Sequence, residues 1–384
     1  MTAPALTRQG DRQRLVVKLA EIDWTFCLIL AGIAAAGGLM LYSIAGQSWS
    51  PWAGRHLVLF GLCFGLMIAL AVVDLRVWYA LAYPVYGAGV LLLLAVAVIG
   101  HSTLGAQRWL DIGPIRLQPS EMIKVGLVLA LARFYHGVSG GQAKLSWWLL
   151  IPLALIGVPA ALVARQPDLG TAILIAATGG LMMILAGLSL RVIGAGALAL
   201  AAVVPLAFMF VIKPYQRARL LTFLNPEADR SGAGYHIIQS KIALGSGGLL
   251  GKGLGLGTQS QLNFLPEKST DFIFSSMAEE FGLVGCATIL LLYAAVIFIG
   301  LRIASVAHSH FGRLAAAGVT LTFGLCVVIN GAMVMGLAPV VGVPMPLLSF
   351  GGTVMITMMI GFALVLSVRV HRYSEVTRSA GGLV

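Results

Sequence analysis

The sequence predicts an all-α polytopic membrane protein, and three observations carry that reading. Hydrophobic residues make up 59% of the 384 and charged residues 10%, with a mean hydropathy of +0.95. Apolar runs long enough to cross a hydrocarbon core of ~30 Å recur from end to end. The 47 glycines suit helices that approach one another closely in lipid. Lipid offers backbone N–H and C=O groups no partners, so the runs must be helices. The chain reads as one transmembrane domain over 1–384, with a basic stretch 1–23, a large loop 213–271 and a tail 369–384.

About ten spans follow in order: 24–45, 56–73, 77–99, 119–136, 147–164, 170–188, 192–212, 272–300, 314–337 and 345–368. The fifth is the shortest. The run from Trp24 is too long for the core of a secretory signal and no A-x-A site follows it, so a retained first helix is expected. Cys27, Cys63, Cys286 and Cys326 all lie within apolar runs and form no CxxC pair, so disulfides are not expected.

Orientation follows from Lys and Arg in the short loops. With the N-terminus inside, the inner segments hold thirteen of them, and the short outer loops hold only Arg55, Arg108, Arg116 and Arg165. Both termini are therefore expected in the cytoplasm, with 100–118 and 213–271 outside. Much of the net charge of +11 is this topological bias. The outer loop 213–271 is different. It carries Lys213, Arg217, Arg219, Arg230, Lys241, Lys252 and Lys268 against Glu227, Asp229, Glu267 and Asp271. A cationic surface outside the membrane suits an anionic ligand, although simple solvation also explains charged loop residues. No nucleic-acid partner is expected.

Four stretches hold candidate chemistry. In "GAQRWLDIGPIRLQPSEMIK" (105–124), Gln118-Pro119 marks a helix start, with Pro at its first position. Glu121 then sits in the first turn, where the helix dipole favours an anion. Lys124 is three residues on, on the same face. A capping Glu with a snorkelling Lys is one reading. An ion pair lining a polar cavity is the other, because charge inside a membrane is costly. In "RQPDLGTA" (165–172), Asp168 reads as a helix cap beside Arg165. In the large loop, "GSGGLLGKG" fails the phosphate-loop pattern, because Ser246 and Gly253 stand where Gly and Ser or Thr are required. In "LPEKSTDFIFSSMAEEFG" (265–282), Asp271 precedes an apolar run as a cap or first-turn acid would. Glu279 and Glu280 fall 12–13 Å further on at ~1.5 Å per residue and are expected to be protonated or paired. "NGAMVMGLAPVVGVPMPLLSFGGT" (330–353) packs Pro339, Pro344 and Pro346 into a re-entrant-like turn between two spans. No H-E-x-x-H, His cluster or G-x-S-x-G elbow gives metalloprotease or serine-hydrolase chemistry a foothold.

Six segments, in order along nearly the whole chain, resemble the SEDS family (shape, elongation, division and sporulation), on its RodA branch: "GAQRWLDIGPIRLQPSEMIK", "QPDLGTA", "YQRARLLTFLNP", "GYHIIQSKIALGSGG", "GKGLGLGTQSQLNFLPEKSTDFIF" and "GLAPVVGVPMPLLSFGG". Ser269, Phe350 and Thr353 depart from the residues usual there. The resemblance implies a multi-pass protein of the bacterial plasma (inner) membrane, a peptidoglycan glycosyltransferase for cell elongation that polymerises lipid II at the outer face of that membrane. It implies a class B penicillin-binding protein as transpeptidase partner. It places the essential aspartate at Asp271 and polar-cavity residues at Arg116, Glu121 and Lys124. The remaining candidates for substrate binding are Asp168, Arg217, Arg219, Lys252, Glu267 and Lys268. No organic cofactor is expected; a divalent cation is the alternative source of positive charge. A lipid-linked-sugar flippase and a non-catalytic scaffold for a transpeptidase are the competing functions, since Gly- and Pro-interrupted spans with buried charge also occur in transporters.

Overall fold

The computed structural model describes residues 15–376 except 104–105, 113–114, 139–146, 190, 197, 199–201, 203–213, 230–231 and 266. The basic stretch before residue 15, most of the predicted seventh span (192–212) and the tail beyond 376 lie outside the described residues. The helices are α1 (Trp24–Ile44), α2 (Ala53–Ala71), α3 (Leu75–Ile99), α4 (Pro119–Gly137), α5 (Leu150–Arg165), α6 (Leu169–Leu185), α7 (Pro214–Leu224), α8 (Ala233–Ser246), α9 (Ile273–Val306), α10 (His310–Val334) and α11 (Gly352–Val370). Among the described residues, six of them, α1, α2, α3, α9, α10 and α11, are long and apolar enough to cross a membrane.

Burial divides them. The apolar windows of α10 and α11 are 67% and 78% buried inside the protein, against 22% for α2 and α3. The first pair forms the centre of the bundle, and the second turns most of its surface outward, where only lipid can accept it. The central helix α4 carries Glu121, Lys124 and Arg133, yet Glu121 and Lys124 are buried among neighbouring helices. Small residues allow this packing: Gly126 lies against the backbone of Tyr86, and Gly361 against Val319.

Two expectations change. Three strands lie between α3 and α4: β1 (His101–Thr103), β2 (Ala106–Ile112) and β3 (Ile115–Leu117) form an antiparallel sheet in that order. The fold is therefore mostly rather than wholly helical. Its signal was the Gly113-Pro114 pair between Ile112 and Ile115, a turn dipeptide. Strands this short show too little alternation to stand out beside apolar helices.

The second change concerns α9, which is broken at Gly282 (φ 63°, ψ −160°). Its first segment, 273–281, is a separate half-helix. The 24 residues of 283–306 rise about 36 Å, enough to cross a bilayer unaided. Glu279 and Glu280 lie before the break and need not sit in hydrocarbon.

Candidate functional site

Asp271 is not a cap. Phe272 takes the N-cap position of α9 without a side-chain cap bond, and no acid occupies the first helical turn. Instead Asp271 closes a turn that begins at Glu267. Glu267 has a left-handed backbone (φ 52°), its carbonyl accepts from Thr270 N (3.1 Å) and Phe272 N (3.3 Å), and its carboxylate accepts from Thr270 Oγ1 (2.9 Å). A non-glycine residue held at positive φ stores strain that the surroundings must enforce. They do so from the Pro-rich turn before α11. Phe350 N donates to Ser269 O (2.8 Å), Ser349 Oγ to Thr270 O (2.6 Å), and Asn330 Nδ2 to both Asp271 O (2.9 Å) and Val343 O (2.7 Å). The backbone of 269–271 is thus held at three successive carbonyls, by the Pro-rich turn and by Asn330 of α10.

Its side chain is not. Among the described residues no group donates to the Asp271 carboxyl. The carboxyl faces Gly342, where a Cβ would lie 3.6 Å from Oδ2. Gly342 has φ +72°, a backbone conformation that favours glycine there. Burial raises the Asp271 pKa, the nearby carboxylates of Glu267 and Asp168 raise it further, and Arg108 and Arg219 pull against them; the result is about 6.

Asp168 behaves differently. Its Oδ1 accepts from Thr171 N (3.3 Å) as the N-cap of α6, as its sequence position suggested. Gln118 Nε2 donates to its Oδ2 (3.5 Å), and Arg108 Nη1 lies 3.9 Å from Oδ1. Arg108, from β2, also donates to the carbonyls of Gln166 (3.4 Å) and Pro167. The partner of Asp168 is therefore Arg108, not the exposed Arg165 next to it. Sequence reasoning missed Arg108 as a site residue. It stands some sixty positions from its partners, and only the folding of β2 onto the α5–α6 connection brings them together.

The other predicted residues divide. Arg219 on α7 is exposed and within electrostatic reach of Asp271. Arg217 precedes it on the same helix, and Arg116 is exposed on β3, where its carbonyl accepts from Thr353 Oγ1 (3.2 Å). Glu121 and Lys124 pair at 2.7 Å and are both almost fully buried. Among the described residues, a narrow crevice with an apolar lining lies beside Lys124, bounded by Val128, Val319, Thr357 and Gly361. The pair connects to the site through the field of Asp168, which acts on both Lys124 and Asp271. Lys252 is committed elsewhere, to Glu279 at 2.7 Å. Lys268 donates to Ser260 O (2.6 Å) and Asn263 Oδ1 (2.8 Å), with its pKa lowered by burial. These two lysines hold the loop together and are poor candidates for a ligand.

Comparison with known proteins gives a consistent set. Residues 23–374 match the profile of the family described as "Cell cycle protein", which comprises FtsW, RodA and SpoVE. The chain is 45% identical to "Peptidoglycan glycosyltransferase MrdB" of Escherichia coli K12, over 92% of this chain and 94% of that protein. It is 33% identical to "Probable peptidoglycan glycosyltransferase FtsW" of Trichlorobacter lovleyi, over 91% and 94%. Among solved structures, it resembles a chain from work described as "Structural coordination of polymerization and crosslinking by a peptidoglycan synthase complex", with TM-score 0.80, 36% identity, and coverage of 92% and 98%. It also resembles the Thermus thermophilus rod shape determining protein RodA, with TM-score 0.68, 30% identity, and the same coverage.

Proposed function

Because the chain belongs to the FtsW, RodA and SpoVE family of cell-cycle proteins, we propose how this peptidoglycan glycosyltransferase makes its bond: a single inverting displacement on a lipid-linked sugar pyrophosphate, with Asp271 as the general base. The enzyme is a multi-pass membrane protein of the RodA type, in keeping with a role in rod shape. The substrate is lipid II, and both termini face the cytoplasm, so the site opens on the outer face. The working partner is a class B penicillin-binding protein, supported by the likeness to a chain of a peptidoglycan synthase complex.

The chemistry fixes what the site needs. Lipid II carries an α-linked sugar on pyrophosphate, and the product bond is β-(1→4), so one displacement inverts the centre. The acceptor 4-hydroxyl oxygen attacks the anomeric carbon of the donor. Its proton passes to the Asp271 carboxylate, and the bond from carbon to pyrophosphate oxygen breaks with its electron pair on the leaving group. Hydrolysis of a glycoside takes two carboxyl groups because an alkoxide must be protonated as it leaves. Pyrophosphate leaves without a proton and needs positive charge instead. Arg219, Arg217 and Arg116, exposed or part-exposed, are candidates to supply it. No organic cofactor enters the reaction. A divalent cation would supply charge of the same kind; among the described residues no group of three or more His, Cys, Asp or Glu gathers to hold one permanently.

The observation that carries the assignment is the Asp271 carboxyl itself. Its backbone is held, among the described residues no group donates to its oxygens, and its pKa is pushed up to about 6, in the range where a base is effective near neutral pH. The test is polymerisation of lipid II by the purified protein with its transpeptidase, comparing wild type with Asp271→Asn. Glycan strands from the first and none from the second support the reading. Strands from a well-folded Asp271→Asn leave the protein without this base, and none from the wild type returns it to a transport or scaffold role.

A further inference from the structure

The break in α9 is filled by the chain's own loop. Lys252 N donates to Glu279 O (3.0 Å) and Gly253 N to Glu280 O (3.0 Å), while Leu283 N and Val284 N donate to Gly248 O (3.0 Å) and Leu249 O (3.1 Å). Two carbonyls before the break and two N–H groups after it thus find partners in residues 248–253. The approach is so close that a Cβ on Gly251 would strike Glu280 O, and one on Gly282 would strike Gly251 N; both glycines have positive φ.

The side chains at the same level complete the grip. Both oxygens of Glu279, which is fully buried, are occupied: Lys252 Nζ (2.7 Å) and Thr258 Oγ1 (2.9 Å) donate to Oε1, and Gln259 N reaches both Oε1 and Oε2 (3.1 Å each). Glu280 Oε2 accepts from Ser43 Oγ (2.5 Å) on α1 and from Gly255 N (3.2 Å). From the far side, Ser240 of α8 bonds Ser275 (2.8 Å). The half-helix 273–281, with Asp271 just before it, is therefore a short rigid piece. Its far end is clamped by two carboxylates, and its near end by the turn at Glu267.

We propose that Glu279 and Glu280, with Lys252 as the counter-cation, are positioning residues for the transfer reaction, holding the Asp271 half-helix in register against the loop 248–261. This rests on the assignment of Asp271 as base. Neither glutamate touches the reacting atoms. Their effect is geometric: the half-helix is nine residues of 1.5 Å rise, so a small tilt at Glu279 is carried to Asp271 as a shift of about 1 Å, a displacement that costs on the order of 10²-fold when it misplaces a catalytic group.

The experiment uses the full chain with its transpeptidase in lipid nanodiscs, and the variants Glu279→Gln, Lys252→Met and Lys252→Arg. Hydrogen exchange over 267–281 reads the clamp directly, without reference to Asp271. Lipid II polymerisation gives kcat and the donor KM. Expected are faster exchange in that segment and a 10- to 100-fold lower kcat for Glu279→Gln and Lys252→Met, with KM changed less than about threefold, and recovery of both in Lys252→Arg. Unchanged exchange would show that no clamp exists. Faster exchange with unchanged kcat, or a loss seen only in KM, would show that the clamp does not position the chemistry. If Glu279→Gln fails to fold, Lys252→Met, at a half-exposed position, decides alone. Activity retained in Asp271→Asn sinks the base assignment separately, because the exchange result does not depend on it.

Discussion

Asp168 and Asp271 each stand just before a helix, at the same end of the bundle and against the same turn: Gly170 packs on Val341 O, and Gly342 faces Asp271 Oδ2. Asp168 is capped into α6 and ringed by Thr171 N, Gln118 and Arg108. Asp271 has its backbone bonded and, among the described residues, no donor to its carboxyl. A carboxylate with both oxygens contacted by such groups, as at Asp168, holds structure together. One held rigidly yet left unsatisfied, with its pKa raised, is poised to take a proton.

The most severe way to break the contrast is Asp271→Asn. Polymerisation should fall by ~10²–10⁴-fold, since an amide cannot take the hydroxyl proton. Stability should not fall with it. The folded pKa of Asp271 is raised above its ordinary value, so its ionised form opposes folding at neutral pH and its protonation favours it as pH drops through about 6. Thermal unfolding at pH 7.5 should therefore show Asp271→Asn at least as stable as wild type. A loss of several degrees would mean that Asp271 has a structural bond after all.

Removing one partner of the buried pair should do the opposite. Glu121→Gln leaves Lys124 a lone charge in an apolar crevice, and breaking such a pair costs ~3–5 kcal/mol. The measurable result is a lowered unfolding temperature with polymerisation lost in proportion to folded protein. Lost turnover in fully folded protein would move this pair from scaffold to site.

The pH profile sharpens the comparison without mutation. A base with its pKa near 6 is protonated below it, so kcat/KM should drop about tenfold per pH unit on the acid side of 6. If the acid limb instead lies near 4, the value of an ordinary carboxylate, Asp271 is better solvated than its surroundings imply.

The mildest change is Asp168→Asn. Asn caps a helix about as well as Asp, and the long contact to Arg108 is partly solvated, so the loss should be within ~1 kcal/mol. Its activity should remain within a few-fold of wild type. A loss comparable to that of Asp271→Asn would make the two aspartates one catalytic unit.

The sequence by itself determined the class of molecule. Hydropathy and helix length are local quantities, and 24–45, 77–99 and 147–164 anticipate α1, α3 and α5 within a few residues because lipid leaves the backbone no alternative to the helix. The pairing of Glu121 with Lys124 was equally legible, since i, i+3 spacing on one helix is local too. The tertiary structure decided everything that depends on distant partners. It gave Asp168 the guanidinium of Arg108 rather than that of Arg165, and it gave Lys252 to Glu279 rather than to a ligand. It also put a break at Gly282 where the apolar run looked continuous, because the groups that satisfy the broken helix come from residues 248–253. Whether a carboxylate is engaged or free depends on what the fold brings within 3 Å of it, and spacing along the chain carries no record of that.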